Sequence, residues 1–169
     1  KNDLVQARNR RLWSSKTPAA GTNLTGEDLA RAVPSKDEQD QVDVTNEYRL
    51  MMGRCALAWN PRLQSSAQMH SDYMANTGEF SHFEKDPARA RPGDRMRLVG
   101  YLTGVSENCH MGGDGPEGAH VGWQHSSGHH RNLLFETHRE MASASAGDYW
   151  TQNFGVGVDF EKDLAPTKP

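Results

Sequence analysis

The sequence predicts an α/β protein in which an antiparallel sheet is covered by helices. Helical patterns come first and recur between Ser35 and Trp123, whereas strand-like runs are concentrated late, at 140–146 and 149–158, joined by Gly147-Asp148. Gly-Asp between two such runs is hairpin chemistry, which favours antiparallel neighbours over the crossovers of a doubly wound parallel sheet. The 169 residues suit one domain with a substantial core.

Taken in order, residues 1–36 read as an N-terminal arm or linker. Arg8, Arg10 and Arg11 form a basic cluster, and the stretch from Ser14 to Thr25 is rich in Ser, Thr, Pro, Ala and Gly. Leu12-Trp13 and the spacing of Leu24, Leu29 and Val33 also allow docking on the domain or a short helix capped by Thr25. The domain proper is placed at 37–160. Ser35 with Glu38 is a capping box, and Val42, Thr45, Tyr48 and Met52 follow at helical spacing until Gly53. Asn60-Pro61 offers an N-cap and a first-turn proline to a second helix, whose stripe of Leu63, Ala67, His70 and Met74 ends near Gly78. A Pro, Arg and Gly rich loop follows at 84–93, then a short helix at 94–99 stopped by Gly100. A strand is expected at 105–111, carrying Glu107. Pro116 then starts a helix that turns Val121 and Trp123 inward and that Gly128 breaks. The hairpin completes the domain, and 161–169 read as a C-terminal tail.

Charge excludes some partners. With 19 basic and 22 acidic residues the formal net charge is -3, and no basic stripe interleaves with aromatics as a nucleic-acid groove requires. No apolar run approaches the ~20 residues of a transmembrane segment. The chain opens without a signal-peptide pattern, so export would mean a signal already removed. A monomer is expected.

Three polar punctuation points stand out: Ser81-His82-Phe83, Ser106-Glu107-Asn108 and Ser127-Gly128-His129. Two imidazoles and a carboxylate from separate segments have the ligand types of an open zinc site or the parts of a general acid/base site. Equally, a hydrogen-bonded charged cluster can stitch a fold together without chemistry. His70, on an apolar helix face, reads first as a hydrogen-bonded core residue. His125 and His129 are four apart, yet Ser127 and Gly128 argue that the helix between them has ended. Ser81, Ser126 and Ser127 stand near histidines, but no nucleophile elbow accompanies them. Cys55 and Cys109 are the only cysteines, either bridged or buried as free thiols.

Asn46-Glu-Tyr-Arg49, Leu57-Ala-Trp59, Phe80-Ser-His82, Arg95 with Gly100-Tyr101, Ser106-Glu-Asn108, Trp123, Ser127-Gly-His129 with Asn132-Leu-Leu134, and Tyr149-Trp-Thr-Gln-Asn-Phe-Gly155 occur in one order. In that order they resemble the CAP superfamily, which comprises cysteine-rich secretory proteins, insect antigen 5 and plant pathogenesis-related proteins, and especially its bacterial SCP-like extracellular branch. The likeness covers about residues 41–158.

The resemblance implies a three-layer α/β/α sandwich with a central antiparallel sheet, secretion, and a cleft lined by a tetrad of two His and two acids. Position by position, these are His82, His129 and Glu107. The second acid is replaced by Ser126, and His130 stands where Arg is common. Ser126, Asn108, His70 and Gln152 are expected to line the cleft. The metal ligands implied are His82 and His129, with labile zinc as cofactor and an organic cleft ligand that is a lipid, glycan or peptide. A secreted binding module is the leading expectation. The alternative is a metal-assisted hydrolase of peptidase or nuclease type, in which Glu107, His82 and His129 are catalytic. Because secretion means an oxidising compartment, the resemblance favours a Cys55–Cys109 disulfide. It would close a loop of about 54 residues and contribute roughly 3 to 4 kcal/mol.

Overall fold

A computed structural model describes residues 1–15, 24 and 26–157. The elements run α1 (Asn2–Ser14), α2 (Gly26–Arg31), α3 (Lys36–Met51), β1 (Ala58–Trp59), α4 (Pro61–Thr77), α5 (Pro92–Leu98), β2 (Gly104–Met111), α6 (Gly115–Gln124), α7 (Ser127–Leu134), β3 (Glu140–Ala146) and β4 (Tyr149–Gly155). The expected Thr25 cap, residue 158 of the last strand and the 161–169 tail lie outside the described residues.

The caps that end the long helices are local. Ser35 accepts from the Glu38 N–H at 3.3 Å while Glu38 Oε2 accepts from the Ser35 N–H at 2.7 Å, so α3 starts on a reciprocal capping box. Asn60 accepts from the N–H groups of Arg62 and Leu63, Pro61 fills the first turn of α4, and Gly78 closes it at φ 71°, a left-handed conformation that L side chains rarely adopt.

The strand order is β1-β3-β4-β2. The hairpin pairs antiparallel from Glu140↔Gly155 to Ala146↔Tyr149, and β2 lies antiparallel on the other side of β4. The two residues of β1 add a short parallel edge against β3. One face is covered by α4 and α5, the other by α3, α6 and α7, which gives the expected three-layer sandwich with a central antiparallel sheet.

The main core joins Trp59, Leu63, Met96, Trp123, Leu133, Met141, Trp150 and Phe154. Trp13 of α1 joins it and meets Trp59 edge-on at 6.5 Å. The segment before and through β1 is held from two sides. Asn46 of α3 donates to the Leu57 carbonyl at 3.0 Å and accepts from the Leu57 N–H at 2.7 Å. Asn9 of α1 donates to that carbonyl at 3.2 Å and accepts from the Trp59 N–H at 2.8 Å, and Arg8 donates to the Trp59 carbonyl at 2.9 Å.

Three expectations change. Trp123 turns inward but Val121, two positions earlier on α6, faces solvent. Gly128 does not end a helix: α6 stops at Gln124, and Gly128 lies in the first turn of the separate helix α7. The Cys55–Cys109 disulfide is corrected to two free thiols, Cys55 exposed and Cys109 buried. The order of strands gives the reason. Cys55 leads into the β1 edge and Cys109 lies in β2 at the opposite edge, three strand spacings away. That is about 14 Å at ~4.8 Å per spacing, against the ~7 Å Cα separation a disulfide tolerates.

Candidate functional site

His82 comes from the loop after α4, Glu107 from the middle of β2 and His129 from the first turn of α7. The fold brings them together. His82 Nδ1 lies 3.0 Å from Glu107 Oε1, and the His82 and His129 rings are 6.2 Å apart between centroids. The His82 side chain is 41% exposed, whereas that of Glu107 is buried. His129 is half-buried.

The loop carrying His82 is pinned by an interior network of charge. His70 engages the Ser81 carbonyl through Nε2 and Glu84 Oε1 through Nδ1, both at 2.8 Å. Arg95, fully buried on α5, donates to the His82 carbonyl at 3.2 Å and to the two oxygens of Glu107 at 2.9 and 2.8 Å. Its Nε sits 3.6 Å from Glu84, which Arg89 also approaches at 3.3 Å. Buried carboxylates are tolerated when paired and hydrogen-bonded in this way.

Electrostatics follow from that packing. Burial pushes the Glu107 carboxyl up, but the His82 hydrogen bond and the charges of Arg95 and His70 outweigh it, and the group is held below its ordinary range. Burial, then the neighbouring His82 and His110, lower His129, which keeps its imidazole neutral and able to donate a lone pair. Burial pushes the Cys109 thiol well up, so Cys109 stays protonated.

Helix α7 is fastened to β2 by amides. Asn132 donates to Asn108 Oδ1 at 2.9 Å and to the Glu107 carbonyl at 3.3 Å, while Asn108 donates to the His129 carbonyl at 3.3 Å. Asn108 and Gln152, expected along the cleft, are buried and bonded to each other at 3.2 Å, and Gln152 also donates to Gln41 and Thr45 of α3. His70 is likewise buried beneath the site, and half-buried Ser126 precedes α7 without capping it. His130 is turned away, 2.7 Å from the Tyr48 hydroxyl, which leaves His129 as the ring facing His82. His125 is exposed at the end of α6 and shares no helix with His129.

Sequence reasoning missed three members of the site. Glu84 and Arg95 complete the charge network, and only the fold reveals this. Cys109 lies 3.5 Å from His82 Nδ1 and 3.6 Å from Glu107 Oε1, and the alternation of β2 places it on the Glu107 face. Ligand atoms of His70, Glu107 and Cys109 fall within 4.8 Å of one another. A separate open hollow of about 490 Å³ beside α7 is lined by Arg54, His130, Arg131, Leu134 and Phe135 among others, and does not include His82 or His129.

The model of the CAP family, described as the cysteine-rich secretory protein family, matches residues 42–157. An uncharacterized membrane protein of Bacillus subtilis is 27% identical over 124 residues, 73% of this chain and 36% of that protein. An extracellular protein containing an SCP domain from Bacillus anthracis superposes with a TM-score of 0.69 at 26% identity, covering 80% of this chain and 45% of that one. A cysteine-rich secretory protein from Staphylococcus aureus, at 22% identity and a TM-score of 0.56 over 72% of this chain and 39% of that one, shares the fold. The chain therefore spans well under two thirds of the length of these relatives. Among the described residues no helix is long and apolar enough to cross a membrane.

Proposed function

This chain belongs to the CAP family of cysteine-rich secretory proteins, and from that premise we propose that it is an extracellular binding module whose outer site takes a divalent transition metal, zinc above all, through His82 and His129. The observation that carries the reading is the 6.2 Å approach of the two rings, with His82 Nδ1 directed at Glu107. A carboxylate on one ring nitrogen fixes the tautomer and leaves the other nitrogen as the donor, the usual outer-shell arrangement of metal-binding histidines. The donor set fits zinc: two imidazoles, one held neutral by its surroundings, with an orienting carboxylate.

The same geometry weighs against hydrolysis. A bound metal supplies Lewis acidity and an acidified water. A base of suitable strength must accompany it, and Glu107 is poor in that role. Both its oxygens are committed to Arg95, and its affinity for protons is depressed. With Ser126 in place of a second acid, the remaining residues bind and orient. For the organic ligand, a lipid, glycan or peptide, we choose the hollow beside α7. Arg131 brings positive charge there, Arg54 pairs with Glu136 across its wall at 3.5 Å, and Leu134 and Phe135 bring apolar wall.

Zinc added to chelator-treated protein tests the reading. A ligand held only by the native state at a hundred times its Kd stabilises it by about 2.7 kcal/mol. The melting temperature should therefore rise, and His129→Ala should remove most of the rise. A parent protein indifferent to zinc would end the metal reading.

A further inference from the structure

We propose that Cys109 Sγ, His82 Nδ1 and Glu107 Oε1 form a second, interior coordination face for a thiophilic divalent cation of the zinc class. It lies on the opposite ring nitrogen of His82 from the one that serves the outer site. The two positions share His82 but not His129, so a change at His129 tells them apart.

The three atoms are already spaced for an ion. They form a triangle with edges of 3.5 Å from sulfur to nitrogen, 3.6 Å from sulfur to oxygen and 3.0 Å from nitrogen to oxygen. Tetrahedral zinc, with bonds of about 2.3 Å to sulfur and 2.0 to 2.1 Å to nitrogen and oxygen, separates sulfur from either lighter ligand by about 3.5 Å and nitrogen from oxygen by about 3.3 Å. No edge needs to change by more than a few tenths of an ångström.

Of the two imidazoles near Cys109, only His82 can serve. His70 lies within reach of Glu107 and Cys109, but both its ring nitrogens are already engaged, by Glu84 and by the Ser81 carbonyl, each at 2.8 Å. His82 gives its Nδ1 to Glu107 alone among the carboxylates, and its half-exposed ring offers the path by which an ion enters. Glu107 Oε1 must give up its 2.9 Å bond from Arg95 to take the ion, while Arg95 stays on the second oxygen at 2.8 Å and the Asn153 amide turned toward that oxygen donates at 3.1 Å. The interior charge thus stays compensated when Oε1 turns to the ion.

The proton balance is simple and involves no redox partner. The Cys109 S–H bond breaks and its proton leaves to solvent as the metal–sulfur bond forms. The His82 proton moves from Nδ1 to Nε2, which frees Nδ1 for the metal. With Nε2 protonated, the ring can no longer serve the outer site, so the two positions exclude one another. Soft ions that prize thiolate are drawn inward.

Cobalt(II) added to the Cys55→Ser variant under a non-thiol reductant tests this, because the exposed second thiol is then absent. The expected result is a thiolate-to-cobalt charge-transfer band in the near ultraviolet, with one proton released per ion. The band should persist in Cys55→Ser/His129→Ala and vanish in Cys55→Ser/Cys109→Ser. A folded, cobalt-loaded Cys55→Ser protein without the band overturns the interior site, as does loss of the band with His129→Ala. These spectra decide the matter even if serine at 109 prevents folding. Failure of the outer site reads differently, as zinc stabilisation untouched by His129→Ala.

Discussion

Arg95 reaches both oxygens of Glu107 through a single terminal nitrogen, at 2.9 and 2.8 Å, with both side chains essentially closed to solvent. The pair ties α5 to β2 and holds the backbone of His82 through the same guanidinium. Removing one partner of a buried pair leaves the other charge uncompensated, at a cost of about 3 to 5 kcal/mol. Arg95→Met should therefore destabilise by that order in urea unfolding, and adding Glu107→Gln should recover part of the loss. Additive losses in the double variant would show that the two do not interact.

Two further histidines set the acid limit. Burial first, then the charge of His130, lowers His120 to about 4, and burial first, then Arg49, lowers His138 to about 4. Both are depressed below the usual 6.5, so the unfolded chain binds protons more tightly than the folded one. Their contribution is present above about pH 6.5 and is lost as pH falls toward 4, and it amounts to a few kcal/mol at neutral pH. His138 stacks on Phe154 at 4.7 Å, so His138→Phe keeps the packing while removing the titration. The pH at which half the stability is lost should move down in that variant. An unchanged acid midpoint would remove His138 from the transition.

The two thiols should behave as unlike groups. Iodoacetamide added to native protein is expected to label Cys55 alone, and Cys109 only after denaturation. Mass measured before and after reduction should be the same. A two-hydrogen gain on reduction would restore the disulfide.

Asn46 carries a stability role that its surroundings make explicit. Asn46→Ala strips the Leu57 N–H of its partner and takes one donor from the Leu57 carbonyl, both in the interior. At about 1 to 3 kcal/mol for a buried group left unsatisfied, a loss near 2 to 3 kcal/mol is expected by thermal unfolding, with zinc affinity little changed. A loss of zinc response larger than the loss of stability would tie Asn46 to the site itself.

What was legible in the sequence was local. The Ser35–Glu38 box, Asn60-Pro61 and Gly78 announce helix ends because each cap is satisfied within a few residues of itself. Gly147-Asp148 announces the hairpin for the same reason. Strand β1 is two residues long and exists only because β3 lies beside it, so no window of sequence contains its cause. Helix α7 begins Ser-Gly-His-His, a poor helix former by propensity; buried Leu133 and the amides of Asn108 and Asn132 hold it in place. The positions of His82, Glu107 and His129 came through family resemblance. The grip of Arg95, Glu84 and His70 on them did not, since pairing among charges 12 to 14 residues apart has no periodic signature.

The docking of α1 has a bearing on how the molecule behaves in company. β1 is the outermost strand on its side, and the unpaired amides and carbonyls of such a border invite a neighbouring chain to add itself. Asn9 and Arg8 engage those groups, with Trp13 sealing the layer beneath. A chain trimmed to the family-matched core would bare that border and should self-associate.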